Sequence, residues 1–215
     1  MRNIRKILLI TVALFVALLT FVLYKVLWDP ENTKQVYYPM SKQEKGLLHS
    51  GDIILRRGYG TFSDAIIKFQ DGYLPVSHCA MIIADSGKYQ VAHSLSSSVA
   101  EIDGAQYQPL QRFLNESKPN SIVVVRFKSS SDTIRSIVDQ VKNYANRHIP
   151  FDHDFSNSDT TRYYCTEMFQ HAFYNVLGYD IFAEGLSQNS MGLYDLTTFQ
   201  DTSLFRRIIN HQKNN

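Results

Sequence analysis

Cysteine and histidine carry most of the reactive chemistry available to this chain, which has two of the former and seven of the latter. Cys165 stands in "RYYCTEMFQHAF", residues 162–173, where two tyrosines lead into an amphipathic run. Met168, Phe169 and Ala172 follow it at i+3, i+4 and i+7. That spacing is one face of a helix, so Cys165 falls in the first turn, on the side that packs inward. Unsatisfied N–H groups and the helix dipole at such a position favour a thiolate, the nucleophilic form of cysteine. The N–H of Cys165 is also placed to donate to an oxyanion forming beside the sulfur. Two plainer readings stand beside this one: a small buried hydrophobe, the usual fate of a free cysteine, or a disulfide to Cys79 in an oxidising compartment.

A cysteine nucleophile requires a histidine in contact with it, and that histidine an orienting partner. His171 lies six residues along the same helix, about 240° round, and points away. His148 and His153 occupy the loop before the helix, and His49 and His211 fall in linker and tail. His78 and His93 differ, because they sit in consecutive strands, "VSHCAMIIA" and "KYQVAHSL", joined by the turn-forming "DSGK". Alternation puts His78, Ala80 and Ile82 on one face of the first strand and Cys79, Met81 and Ile83 on the other. Val91 and His93 share a face of the second, so the two histidines can stand side by side across the ladder as base and orienter. Satisfied structural histidines are the alternative. Zinc held by His78, His93 and Cys165 is a further arrangement, with no C-x-x-C or H-E-x-x-H spacing behind it. Glu167 reads as a carboxylate complementing the helix dipole, Asp52 as a turn cap, and Tyr163 and Tyr164 as cleft or packing residues.

The elements around these residues suggest an α+β domain with a small antiparallel sheet packed on helices. "SGDIILRR" places a turn before a strand at Ile53–Arg56. "TFSDAIIKFQ" reads as a short helix capped by Thr61 or Ser63, with Ile66, Ile67 and Phe69 apolar. "SSVAEID" reads as a third hairpin strand, "PLQRFLNE" as a brief helix and "SIVVVRFK" as a strand. Ile134, Ile137, Val138, Val141 and Ala145 give an amphipathic helix, and Gly178 closes the helix that Cys165 opens.

The N-terminus adds a different element. Arg2, Arg5 and Lys6 precede Ile7–Tyr24, 18 residues with no charge and only two threonines. As a helix this run is roughly 27 Å long, close to the hydrocarbon thickness of a bilayer. Tyr24, Lys25 and Trp28 supply interfacial anchors. "YKVLWDPEN" fits a small-residue cleavage site poorly, which points to an uncleaved signal anchor, with a cleaved signal peptide as the alternative, its N-terminus cytoplasmic and the domain on the periplasmic or extracellular side. The expected organisation is a basic flank (1–6), a transmembrane helix (7–27), a polar linker (28–45) and one globular domain (46–215). A formal charge of +2 and no basic stripe with interleaved aromatics argue against a nucleic-acid partner.

Taken together, "SGDIIL", "SHCAMII", "VAHS" and "PFDHDF…YYCTEMF" resemble the circularly permuted papain-like thiol hydrolases. The nearest match is the YaeF/YiiX type of permuted NlpC-like amidase, with lecithin–retinol acyltransferases more distant. The resemblance spans roughly Gly46 to Gly178, and the permutation shows as histidine before cysteine. It implies Cys165 as nucleophile, His78 as general base and then acid, and His93 as orienter, with Cys79 facing away and taking no part. The orienter in the nearest group is often a carboxylate, and His93 matches the acyltransferase branch instead. The implied activity is cleavage of an amide or ester through a thioester acyl-enzyme, with no cofactor or metal, on a cell-envelope peptide or a lipid. Acyl transfer to a lipid and a non-catalytic binding module are the alternatives.

Overall fold

The computed structural model describes residues 2–27, 36–70, 75–182 and 193–212. Short apolar runs there build one antiparallel sheet from β1 (Ile53–Arg56), β2 (His78–Asp85), β3 (Lys88–Leu95), β4 (Gly104–Pro109), β5 (Val123–Phe127) and β6 (Phe205–Asn210). Their order is β4-β3-β2-β1-β5-β6. Period-two alternation gives each strand two different faces. Cys79, Met81 and Ala92 face α5 (Ser131–Asn146) and α6 (Cys165–Leu177), packing with Val141, Met168 and Phe169. Ile54, Ala80, Ile82 and Val91 face the other way, against Phe113 and Leu114 of α4 (Leu110–Asn115) and the side chains of Tyr38 and Met40. Both faces of the sheet are therefore covered. The β2–β3 hairpin turns on Ser86 and Gly87, at φ 48° and 80°, the positive angles that a two-residue turn needs.

Four details differ from the sequence reading. "SSVAEID" forms turns rather than a strand, because Ser97 N–H donates to Asp103 Oδ1 and Ser98 N–H to Ser96 Oγ, a local alternative to ladder pairing. The strand starts instead at Gly104, whose φ of +88° lets the chain pass against the Ile149 carbonyl where a Cβ would collide. Next, α3 (Gly60–Phe69) has Tyr59 at its cap position, so Thr61 and Ser63 fall inside the helix instead of capping it. The tail holds a 3-10 turn at Leu196–Gln200 and strand β6. Finally, residues 36–45 of the expected linker carry the buried Tyr38 and Met40, and a Ser41–Glu44 capping box opens α2 (Lys42–Leu47). Trp28 and residues 29–35 lie outside the described residues.

At the N-terminus, α1 (Arg2–Leu27) includes the 19-residue span Lys6–Tyr24, with mean hydropathy 2.8 and none of it buried. Thr11 and Thr20 turn their hydroxyls back to the Ile7 and Ala17 carbonyls, so the few polar side chains are satisfied within the helix. This helix touches α3.

Candidate active site

The site is assembled where the starts of β2 and α6 come together. His78 opens β2 opposite Arg56 of β1, and the preceding Ser77 N–H donates to the Arg56 carbonyl. Met81 pairs with Ala92, so His93 stands diagonally across from His78 on the same sheet face. The two rings meet through His78 Nε2 and His93 Nδ1 at 2.9 Å. Both lie on Phe113, with centroids 5.9 and 5.8 Å away. Cys165 is the first residue of α6. Ser94 of β3 pins that entry by donating from Oγ to the Tyr163 carbonyl at 2.6 Å.

Cys165 and His78, far apart in sequence, line one cleft with a volume of about 580 Å³. Tyr164, Phe155, Phe62 and Ile66 supply apolar wall, and Arg56 and Glu116 supply a charged pair. Of the two tyrosines, Tyr164 lines the cleft, whereas Tyr163 packs on His171 and Tyr144 at 4.5 and 5.3 Å. His153 reaches the cleft from the loop before α6 and bonds Asp103. His171 stays out of it, and so does His211, which sits between Tyr38 and Glu44.

Three residues missing from the sequence reading set the electrostatics. Arg56 is buried over the Phe113 ring at 4.3 Å, bonded to the Phe113 carbonyl and to Glu116. Burial first, and then this guanidinium, push the His78 imidazole well below its ordinary range. Burial, Arg56 and Arg112 together take His93 down to about 3. Both rings are therefore neutral at neutral pH. The only sequence signal was a charged residue ending an otherwise apolar strand. Its partner Glu116 lies 60 residues further on and could not be inferred.

The two cysteines are free. Cys79 faces away from His78, as alternation requires, but that face is the one α6 covers. That face belongs to the core that Cys165 also packs against. Contact with Cys79 comes first, and N–H groups at the helix start also contribute, in lowering the Cys165 thiol against the opposing effect of burial.

Glu167 also departs from the simple dipole reading. It accepts the Tyr164 N–H at 3.1 Å, yet it is fully buried, and burial pushes its carboxyl up to about 8 from an ordinary 4.5. A folded state that prefers the protonated acid has its full contribution below about 4.5 and loses it as pH rises toward 8. Stability should fall through that window by up to about 1.4 kcal/mol per pH unit. Glu167→Gln should flatten the dependence, as followed by thermal melting from pH 5 to 8. Equal slopes in both proteins would contradict it.

Among the described residues no group of three or more His, Cys, Asp and Glu is arranged to hold a metal. His78 and His93 bond each other instead of converging on a common point.

Among solved structures, the chain is similar to the crystal structure of metalloprotein yiiX from Escherichia coli O157:H7. The match has a TM-score of 0.60 at 17% identity and covers 77% of this chain and 98% of that one. That likeness shows the fold, and the His78–His93 hydrogen bond gives no reason to carry the metal over. No curated protein matches the chain. The family model of the permuted papain-like amidase enzymes, YaeF/YiiX, C92 family, matches residues 47–205. With that match spanning β1 to β5, the cleft, Cys165 and His78, the chain belongs to the permuted papain-like amidases and is a hydrolase of the cysteine amidase type.

Proposed function

We propose that the protein is a membrane-anchored amidase in which Cys165 attacks the scissile carbonyl, His78 moves the proton and His93 orients His78. The observation that supports this most is the shared cleft, with the His78–His93 hydrogen bond behind it. For His78 to act as a base at Nδ1, its proton must sit on Nε2 and be donated to Nδ1 of His93. His93 then carries its own proton on Nε2, a buried atom with no partner among the described residues. This order of tautomers leaves Nδ1 of His78 basic and the ring fixed. The sulfur adds to the carbonyl while the N–H groups at the start of α6 receive the oxyanion. Collapse expels the amine with a proton from His78 and leaves a thioester. Water, giving its proton to His78, then releases the acid and the thiolate.

The cleft wall favours a substrate with an acyl chain. Phe62 and Ile66 of α3 line it and are partly exposed, and α3 touches the lipid-type helix α1. The basic flank would hold the N-terminus of α1 in the cytoplasm and place the domain on the periplasmic or extracellular side. A lipid acyltransferase would use the same thioester with an alcohol or amine acceptor in place of water. A phospholipid or N-acyl amino acid donor separates the two: free acid marks the hydrolase, and a transferred acyl group marks the transferase. Cell-envelope peptides assayed in parallel test the peptide alternative.

His93→Ala tests the triad through its orienter. It should lower kcat by about 10²-fold or more with KM little changed, because the neutral base loses its tautomer and its aim. A kcat within a factor of about two of the parent would remove His93 from the mechanism.

A further inference from the structure

We propose that His153, oriented by Asp103, is a substrate-binding residue of the cleft that takes a carboxylate or phosphate group carried by the substrate. The inference rests on the reading of this cleft as a hydrolase site and names the class of substrate it accepts. His153 lines the cleft with Cys165 but has no part in the proton transfers given to His78. Its side chain is half-exposed, and Nε2 meets Asp103 Oδ1 at 3.0 Å. Nδ1 has no partner among the described residues, so one ring nitrogen is held and the other is left for a ligand. Asp103 also accepts the Ser97 N–H at 2.8 Å and the Phe151 N–H at 3.2 Å. It thereby ties the serine-rich turn after β3 to the loop before α6, and both segments line the cleft. Phe151 packs on the imidazole at 5.1 Å between centroids, which fixes the ring between an aromatic and a carboxylate.

The rest of the cleft decides the sign of the ligand. Glu116 is the one carboxylate lining it among the described residues. Arg56 Nη1, Arg112 Nε and Gln108 Nε2 already donate to Glu116, each at 3.1 Å. A substrate cation therefore finds no open carboxylate. On the turn that Asp103 holds, the Ser96 and Ser98 hydroxyls lie 2.8 Å apart. One of their two protons makes that bond, and the other remains to be donated.

The tautomer then sets the chemistry. With Nε2–H donated to Asp103, a neutral His153 presents only a lone pair at Nδ1 and offers an anion nothing. A second proton, on Nδ1, makes an imidazolium that donates to a carboxylate on either side. An anion bound at Nδ1 must therefore bring one proton with it, drawn from the solvent that the half-exposed ring meets. The neighbouring charges leave this uptake to His153. Against the opposing effect of burial, the Ser97 and Phe151 N–H groups hold the Asp103 carboxyl below its ordinary range. Asp152 and Asp154 of the same loop are engaged by the Ser156 N–H and by Arg162. Across the cleft, Arg56 and Glu116 are paired and His78 is buried and neutral, with Tyr164 and Cys165 at the head of α6.

The test is calorimetric titration of the full chain carrying Cys165→Ala with the mono-N-methylamide of suberic acid, its methyl ester, and the matching amide with a terminal phosphate. The carboxylate should bind about tenfold more tightly than the methyl ester at pH 6 and lose most of that preference by pH 8. At pH 7 its binding heat should change with the ionisation enthalpy of the buffer, the mark of proton uptake. Adding His153→Ala should abolish both the preference and the proton uptake while the methyl ester binds as before. His153→Lys should restore the preference without the uptake, which a purely structural role for the ring would not do. The phosphate arm separates the sources: binding tighter than the carboxylate marks a phosphorylated substrate, and weaker binding a carboxylic one. Equal affinity for acid and ester at pH 6, or a preference that survives in His153→Ala, would overturn the proposal. Failure of the nucleophile reading has a different signature, methylamine released by Cys165→Ala, and the ratio of cleavage rates would then read the same preference.

Discussion

Cys165→Ala should lower kcat for amide or ester cleavage by about 10⁴-fold or more while substrate still binds. The expectation follows from the covalent role: without sulfur there is no thioester, and the helix N-terminus and cleft retain only binding and oxyanion stabilisation. His78→Ala should cost nearly as much, because Cys165 loses its proton acceptor and the departing amine its donor. The double variant Cys165→Ala/His78→Ala should be no worse than the poorer single one, since groups acting as a unit are non-additive. Steady-state kinetics on purified chains would show this. Additive losses would mean that the two residues act in separate steps.

Asp52→Ala should lower stability by about 3 kcal/mol, the low end for breaking a buried ion pair. Asp52 is fully buried at the head of β1, and its carboxylate accepts Arg126 Nε at 2.6 Å and Nη2 at 2.8 Å. It also caps its own turn by accepting the His49 N–H at 2.8 Å. Arg126 is partly exposed, so some of its lost solvation can return, which holds the loss near that low end. For a domain of this size the loss corresponds to a fall in Tm of roughly 6–12 °C. Asp52→Asn should fall less, because it keeps an acceptor for the turn. A change in Tm below about 2 °C for alanine would show that the pair contributes nothing net.

The contrast between those residues shows what the sequence could carry. Period two placed His78, Ala80 and Ile82 opposite Cys79, Met81 and Ile83, and the two cores divide along that line. The i+3, i+4, i+7 spacing located the helix that opens at Cys165, and Gly178 ends it at φ 76°. Such local rules state which face a residue takes but not what covers that face. Cys79 could therefore be assigned to the face away from His78, but nothing in the alternation says that α6 lies over it. The turn-cap role of Asp52 was readable from its neighbours, whereas its partner Arg126 is 74 residues away. The serine-rich stretch after β3 looked like a strand because its side-chain hydrogen bonds depend on Asp103, which the pattern of β-propensity does not register. Strand β6 escaped notice for a related reason: its pairing with β5 shifts register at Val124/Val125, so no clean alternation runs through it.

The most direct measurement of the central claim is rapid-quench intact-mass spectrometry of the full chain reacting with a p-nitrophenyl ester of a fatty acid. The thioester mechanism predicts a burst of p-nitrophenolate equal to the enzyme present, and one acyl group that maps to Cys165 and is released by neutral hydroxylamine. Turnover with no acylated enzyme at any quench time and no burst, or an adduct on a residue other than Cys165, would contradict it.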